Sequence, residues 1–238
     1  MVARSALKQI QGNAAMRESL FRKSKEVINL KTAVLCIVAD LVEFRDGVTG
    51  GHIYRTRKFL QFLLEALIDS RVYEDEVSTW DMGFMIPSAQ LHDIGKVGIS
   101  DAILNKPGRL TANEYEQMKK HVLIGIDIIG RIEKTTGENA FLRHARNVVG
   151  AHHEKWDGTG YPFGLRGEAI PLEGRLMAVA DVYDALTSQR PYKASLSTAE
   201  AEKFIDEGRG THFDPRLVDV FHKVSHRFAD IVMKTGRA

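Results

Sequence analysis

The stretch Leu91-His92-Asp93-Ile94-Gly95-Lys96 closes an apolar run over residues 82–91, and that run predicts a buried helix. An adjacent histidine and aspartate on a buried helix cost free energy unless another group compensates their charge. A divalent metal ion is the usual compensation, since imidazole and carboxylate are both good ligands for first-row metals. Lys96 adds a cation one turn after His92. One such pair is a weak indication of a metal site, so further ligands have to come from the rest of the chain.

The bulk composition is that of an ordinary globular chain. Its 238 residues are 44% hydrophobic and 27% charged, which is enough for a sizeable core. The formal net charge of +2 gives no strong electrostatic footprint for a nucleic-acid polymer or a membrane surface. A single cysteine, Cys36, excludes an internal disulfide framework and fits a reducing compartment. With no signal-peptide pattern and no apolar run near membrane-spanning length, we expect a cytoplasmic protein without nucleic-acid or membrane partners.

The first 30 residues are polar and basic, with a weak seven-residue recurrence of apolar side chains. The recurrence runs from Leu7 to Leu35, but the companion seam positions are mostly polar. This pattern fits either a surface helix or frayed tail, or a helix that pairs with a second copy or follows an upstream receiver or sensor domain. We therefore divide the chain into an N-terminal helical linker or dimerisation segment, 1–30, and a main domain, 31–238.

The main domain shows helical periodicity throughout. No segment alternates convincingly with period two, apart from a possible short hairpin at residues 161–167 inside a glycine-rich loop. We predict an all-α bundle without internal repeats, preceded by a long N-terminal helix. The predicted helices cover residues 31–44, 52–68, 80–92, a segment opened by the capping box Thr111 to Glu114, 141–151, 171–188, a segment opened by the capping box Ser197 to Glu200, and a last one opened by Asp214-Pro215.

Seven candidate metal ligands fall in five separate segments, each near a helix end or on an inward face. Asp181, for example, follows an apolar run over residues 176–180 and needs a partner there. A single histidine such as His52 is more often structural, but structural roles alone do not predict five independent placements. Imidazoles with a bridging carboxylate suit iron or manganese better than magnesium, which prefers oxygen ligands. The candidates are His52, His92, Asp93, His121, His152, His153 and Asp181.

The order of these residues resembles the HD phosphohydrolase superfamily, and several added motifs resemble its HD-GYP subgroup. The resemblance covers roughly residues 31–224. The matching segments are His92-Asp93-Ile94-Gly95-Lys96, His121, His152-His153-Glu154, Gly158-Thr159-Gly160-Tyr161-Pro162, the run from Val179 to Thr187, and Gly210-Thr211-His212-Phe213-Asp214-Pro215.

The resemblance implies an HD-type bundle of five to seven core helices that holds two or three metal ions, often iron or manganese. It implies hydrolysis of the bacterial messenger cyclic di-GMP to linear pGpG or onward to GMP. All seven candidates match metal-ligand positions, and Asp93 matches the ligand that bridges two ions. Lys96 matches a lysine that contacts the scissile phosphate or the attacking oxygen, so Asp93 and Lys96 are the implied catalytic residues.

The resemblance also implies a set of substrate contacts and a metal count. Arg190 and Lys193 match contacts to the substrate phosphates, while Gly160 and Tyr161 lie in the loop that gives the subgroup its name. Members with three metals place a glutamate four residues before the position of His52. This chain has Val48 there, which cannot bind a metal, so we expect two ions and regard His153 as the ligand most affected.

Two other functions remain compatible with the sequence. One is a phosphohydrolase of the same superfamily that acts on another nucleotide, including another cyclic dinucleotide. The other is a signalling module that binds a cyclic dinucleotide with little turnover. The glycine-tyrosine-proline loop argues against the first, and the intact His92, Asp93 and Asp181 argue against the second. The motifs leave open the metal, the end product and the oligomeric state.

Overall fold

Among the residues described by this computed structural model, 2–45, 51–188 and 195–235, the only regular structure besides helices is one isolated bridge between Arg209 and Phe213. Side chains are described from residue 16 onward, except for residue 24. The predicted all-α class is thus confirmed, whereas a hairpin at residues 161–167 is not formed. The helices are α1 (Val2–Arg45), α2 (His52–Asp69), α3 (Glu74–Val77), α4 (Met82–Ser88), α5 (Asp101–Leu104), α6 (Ala112–Thr136), α7 (Ala140–Ala151), α8 (Leu172–Thr187), α9 (Thr198–Glu207) and α10 (Pro215–Thr235), with 3-10 turns at Ala89–Leu91, Ile94–Gly98 and Gly167–Ala169.

The helix starts follow the capping chemistry that the sequence predicts. The side chains of Thr111 and Ser197 each accept a hydrogen bond from the backbone N–H three residues on. The glutamate at that position accepts the backbone N–H of Thr111 or Ser197 in turn, so both capping boxes form. Asp214 accepts a bond from the N–H of Arg216 at the start of α10. α8 ends at Thr187, close to the predicted end at Ser188.

The long N-terminal helix is confirmed and is continuous. α1 has 44 residues, which is roughly 66 Å at the helical rise per residue. Its last turns pack on the bundle through the buried Ala39 and Val42, while Phe21 and Leu30 farther back are mostly exposed. The proposed boundary at residue 30 falls inside this helix, and the division into 1–30 and 31–238 stays a prediction.

Two cores hold the bundle together. The larger one joins α2, α8, α9 and α10 around a group of buried aromatic rings, in which Phe59 stacks on Phe228 at a centroid distance of 4.2 Å and meets the edge of Tyr183 at 5.4 Å. The smaller one joins the end of α1 to α6 and α7 around Ile129 and Val149. Leu91 and Ile94, which flank His92 and Asp93, belong to the smaller core, and Ala89 belongs to the larger one.

The prediction of a single helix over residues 80–92 was wrong. α4 ends at Ser88, just after Pro87, and a 3-10 turn, Ala89–Leu91, follows. Proline has no N–H for the helical ladder and its ring crowds the preceding turn, so Pro87 weakens the last turn of α4. Asp93 then adopts φ −102° and ψ 11°, between the helical and extended regions, and starts the next 3-10 turn. Asp93 therefore lies outside α4, between two 3-10 turns.

Two glycines bring Asp93 next to α6. A Cβ atom on Gly95 would overlap the backbone carbonyl of His121, and one on Gly125 would lie 2.6 Å from a methyl group of Val149. Only residues without a side chain permit this close approach between α6 and the turn after Asp93. The backbone contact is what places His121 beside Asp93.

Candidate metal centre

The seven predicted ligands converge on one site as two groups of side chains. Within each group, one potential ligand atom per residue lies within 4.8 Å of the others. One group comes from the first residue of α2, the residue after the 3-10 turn that follows α4, and the middle of α8. α6, the end of α7 and Asp93 supply the other. The first cluster is His52, His92 and Asp181, and the second cluster is Asp93, His121, His152 and His153.

Asp93 connects the two clusters because its two carboxylate oxygens face different histidines. Its Oδ2 atom lies 3.3 Å from Nε2 of His92 in the first cluster. Its Oδ1 atom lies 3.3 Å from Nε2 of His121 and 3.8 Å from Nε2 of His152. A carboxylate that offers one oxygen to each of two sites is suited to bridging two cations.

Several of these facing atoms are buried without any hydrogen-bond partner in the described part of the chain. They are Oδ1 of Asp93 and the Nε2 atoms of His121 and His152. A buried polar atom without a partner costs free energy. These three atoms face one another, so a single ion placed between them could be the partner of all three. A divalent cation would satisfy all three, so these residues fit the metal ions that the sequence predicts.

The outer nitrogens of three histidines are fixed by backbone carbonyl groups. Nδ1–H of His92 donates to the carbonyl of Ala89 at 3.0 Å, and Nδ1–H of His121 donates to that of Met118 at 2.8 Å. Nδ1 of His152 lies 3.1 Å from the carbonyls of Val148 and Val149. A donor role for Nδ1 leaves Nε2 directed at the centre, where it can bind a metal ion whenever it carries no proton.

His52 is oriented by a carboxylate instead. Its Nδ1–H donates to Oδ2 of Asp184 at 2.8 Å. Asp184 is 1% exposed and also accepts bonds from Nε of Arg55 at 2.5 Å and Nη2 of Arg55 at 3.0 Å. No role for Asp184 is predicted from the sequence. The available indication was a second carboxylate one turn after Asp181, on the same face of α8.

Electrostatics prepare the second cluster for metal binding. Burial lowers the pKa of His121, and burial together with repulsion from His92 lowers that of His152 to about 4. Burial and the neighbouring His152 hold the pKa of His153 well below its usual value. These imidazoles are therefore neutral at pH 7, the state in which they bind metals.

Asp93 and His92 behave in the opposite way. Burial opposes the charge of each, but for Asp93 the attraction of Lys96 and His92 outweighs it and lowers the pKa well below the usual range. For His92 the attraction of Asp93 and Asp181 outweighs burial and raises the pKa to about 9. The bridging carboxylate is therefore ionised, and an incoming cation has to displace the proton of His92.

Comparison with known proteins agrees with this geometry. The family model described as HD domain matches residues 38–217. The chain belongs to the HD domain family. This confirms the resemblance drawn from the motifs, because the match spans every segment that supplies a ligand.

Individual relatives of this HD-domain chain carry names that refer to cyclic dinucleotides. A cyclic di-GMP phosphodiesterase of Vibrio cholerae is 44% identical over 225 residues, which cover 92% of this chain and 46% of the relative. A 3'3'-cGAMP-specific phosphodiesterase 2 of the same organism is 38% identical over 183 residues, covering 77% of this chain and 33% of the relative. The chain spans about half the length of the first of these curated relatives.

A crystal structure of a cyclic GMP-AMP specific phosphodiesterase of V. cholerae shares the fold. The TM-score is 0.56 at 20% sequence identity, over 85% of this chain and 52% of the other. The predicted HD-type helical bundle is thus confirmed. None of the helices in the described ranges has the length and apolarity that crossing a membrane requires.

The glycine-rich loop of this HD domain lies against the second cluster. Tyr161 stacks on His153 at a centroid distance of 4.7 Å, and its N–H donates to the carbonyl of His153 at 3.2 Å. The buried carboxylate of Glu154 accepts the N–H groups of Phe163 at 2.7 Å and Leu165 at 3.0 Å. A Cβ atom on Gly160 would overlap the backbone of Glu154, so only glycine fits there. The peptide bond between Tyr161 and Pro162 is cis.

Of the remaining predicted site residues, Lys96 lies at the centre, and Arg190 and Lys193 lie outside the described ranges. Nζ of Lys96 is 2.9 Å from Oδ2 of Asp93. Val48 also falls outside the described residues. The functional roles of all these residues stay predictions.

Proposed function

We propose that this chain is a metal-dependent phosphodiesterase that hydrolyses cyclic di-GMP to linear pGpG, to GMP, or to both. The observation that carries the proposal is Asp93, whose two oxygens face histidines of separate clusters, His92 on one side and His121 and His152 on the other. The substrate is inferred from the relative that is 44% identical over 92% of this chain and is named a cyclic di-GMP phosphodiesterase.

The donor set supports two divalent ions, iron or manganese, one in each cluster. When bound, such ions act as Lewis acids and lower the pKa of water toward neutrality. The chain itself supplies the ligands, keeps Asp93 ionised between them, and places the ammonium of Lys96 beside Oδ2 of Asp93. A cation held there stabilises negative charge that develops on a phosphate.

Substrate contacts are proposed at the rim of the second cluster and beyond α8. Tyr161 closes this side of the centre, and Gly160 permits the tight turn beneath it. Arg190 and Lys193 come after the end of α8 in the sequence, and α8 carries Asp181. We assign both residues to the substrate phosphates. Charge-assisted bonds of this kind contribute more than neutral ones, so these two residues would carry much of the affinity.

A second candidate substrate is 3'3'-cGAMP. It is favoured by the relative named a 3'3'-cGAMP-specific phosphodiesterase, which is 38% identical over 77% of this chain. A binding module with little turnover remains the alternative from another class, and the complete set of ligands in both clusters argues against it.

The test combines anaerobic purification with product analysis. The protein is incubated with cyclic di-GMP or with 3'3'-cGAMP, and the products are separated by chromatography. We expect faster consumption of cyclic di-GMP with release of pGpG or GMP, and no turnover by Asp93→Ala. Faster consumption of 3'3'-cGAMP would reassign the substrate, and tight binding without products would favour the signalling module.

We further propose that α1 pairs with a second copy of the chain or continues into a receiver or sensor domain. Its exposed apolar side chains support this, because one amphipathic helix of this length leaves them in water without a partner. Deleting residues 1–25 should leave the melting temperature unchanged and convert a dimer to a monomer in light scattering. An insoluble truncation would instead place this segment in the core. The exposed apolar residues on α1 include Met16, Leu20, Phe21, Leu30, Val34, Ile37, Leu41 and Phe44.

A further inference from the structure

Glu43, on the last turn of α1, has an unexplained buried oxygen. Its Oε1 atom is buried and has no hydrogen-bond partner among the described residues. A carboxylate oxygen in this situation costs free energy unless a cation or a water molecule satisfies it. Glu43 is nine residues before His52 in the sequence, so motif spacing gives no reason to place it in the site.

The side chain of Glu43 faces the metal centre across a small cavity. His52, His92 and Asp93 line the other polar side of this cavity, and Gln90 borders it. Its volume of about 10 Å³ is room for about one water molecule. A site of this size between a carboxylate and three metal-binding side chains suits a single ordered water.

Glu43 also lies within the electrostatic field of the centre. Burial raises the pKa of its carboxyl group, and the nearby His52, His92 and Lys96 act against that rise. Positive charge in the centre therefore favours the ionised form of Glu43. Cations bound between the two clusters would favour it further.

The end of α1 is fastened so that Glu43 is held in this position. Ala39 and Val42, which precede it in the helix, are buried in the smaller core. The guanidinium of Arg45 donates to the carbonyls of Val97 at 2.9 Å and Ile99 at 2.7 Å, in and just after the 3-10 turn that carries Lys96. Hydrogen bonds thus join the last turn of α1 to the backbone just after Lys96.

We propose that Glu43 is an outer carboxylate of the metal centre, which reaches the ion held by His52, His92 and Asp181 through one bridging water molecule. Neither cluster of mutually close ligand atoms includes Glu43, so contact through water fits the geometry better than direct ligation. This inference rests on the proposed metal centre, and it makes the long N-terminal helix a structural part of that centre.

The test measures metal affinity and needs no substrate. Apo-protein is titrated with Mn²⁺ alone in competition with a chelator, and the signal of the bound ion is followed by electron paramagnetic resonance. Glu43→Gln keeps the size of the side chain and removes its charge. Glu26→Gln makes the same change at an exposed position of the same helix and is the matched control.

We expect Glu43→Gln to weaken one of two Mn²⁺ sites by about 10–100-fold, the usual effect of removing a residue that supports a metal ligand. The resonance signal of that ion should change, the other site should keep its affinity, and Glu26→Gln should match the wild type. Glu43→Asp, which keeps the charge but shortens the reach, should fall between them.

Wild-type affinity at both sites in Glu43→Gln would overturn the inference. So would equal weakening of both sites together with a lowered melting temperature, because that pattern indicates a role in folding. Failure of the wild type to bind Mn²⁺ would refute the metal centre itself. Lack of turnover with cyclic di-GMP would refute only the proposed substrate and leave this result standing.

Discussion

The two ligand clusters differ in what lies behind their histidines. In the second cluster, His121 and His152 donate Nδ1–H to backbone carbonyls of their own helices. In the first cluster, His52 donates to the carboxylate of Asp184, which Arg55 holds in turn. A backbone carbonyl can be neither titrated nor mutated away, whereas a side-chain carboxylate can. Backbone geometry therefore fixes His121 and His152 in the second cluster and His92 in the first, whereas a side chain elsewhere in the fold controls His52.

The largest effect should come from Asp93, which belongs to the second cluster and also faces His92 of the first. Asp93→Ala removes the bridging carboxylate and leaves two groups of histidines without an anion between them. We expect the metal content to fall from about two ions per chain to well below one, with no measurable turnover. Elemental analysis after anaerobic purification tests this. A variant that keeps one tightly bound ion would show that the clusters bind metals independently.

Lys96 should separate chemistry from metal binding. Its ammonium contacts Asp93 but cannot bind a metal while protonated. Lys96→Ala should therefore lower kcat by about 10²-fold, in the range found for removing one group that stabilises transition-state charge, with little loss of metal. Lys134→Ala, an exposed lysine at the end of α6, serves as the control. Metal loss as complete as in Asp93→Ala would refute the assigned role.

Asp184 tests whether the first cluster depends on its supporting carboxylate. Asp184→Asn should weaken the metal site of the first cluster by about 10–100-fold and leave that of the second unchanged, because His52 is the predicted ligand that Asp184 contacts. Glu173→Gln breaks a similar buried pair, between Glu173 and Nδ1 of His144 at 2.8 Å, away from both clusters. If this control weakens the first metal site equally, the effect of Asp184 is one of general stability.

The pH dependence of metal uptake should follow His92. Its pKa of about 9 means that the imidazole is protonated at pH 7, and a metal ion must displace that proton. Metal binding is therefore favoured as pH rises, and the apparent affinity should increase by up to about tenfold per pH unit between pH 7 and 8.5. Calorimetry with Mn²⁺ in buffers of different ionisation enthalpy measures the released proton. An affinity that is flat over this range would contradict a protonated His92.

The sequence predicts the ligands better than it predicts their support. His121, His152 and Asp181 could be identified because their order and neighbouring motifs resemble a known family. Asp184 could not be assigned because its role depends on how α8 packs against α2. Glu43 could not be assigned either, because spacing along the chain does not reveal that the end of α1 borders the centre.

The helix break at Pro87 shows a similar limit. Apolar periodicity continues through residues 82–91, so the pattern alone favours one helix. The missing backbone N–H of Pro87 disfavours one continuous helix, and so does the close contact between Gly95 and α6. Local patterns of this kind predict which residues are buried, whereas the backbone path that brings Asp93 to His121 depends on tertiary packing.

The most direct test of the account is the number of transition-metal ions bound to the wild-type chain after anaerobic purification. The account predicts about two ions per chain, one for each cluster on either side of Asp93. Elemental analysis that finds no bound transition metal would contradict the centre itself. Three fully occupied sites would contradict the expectation drawn from Val48.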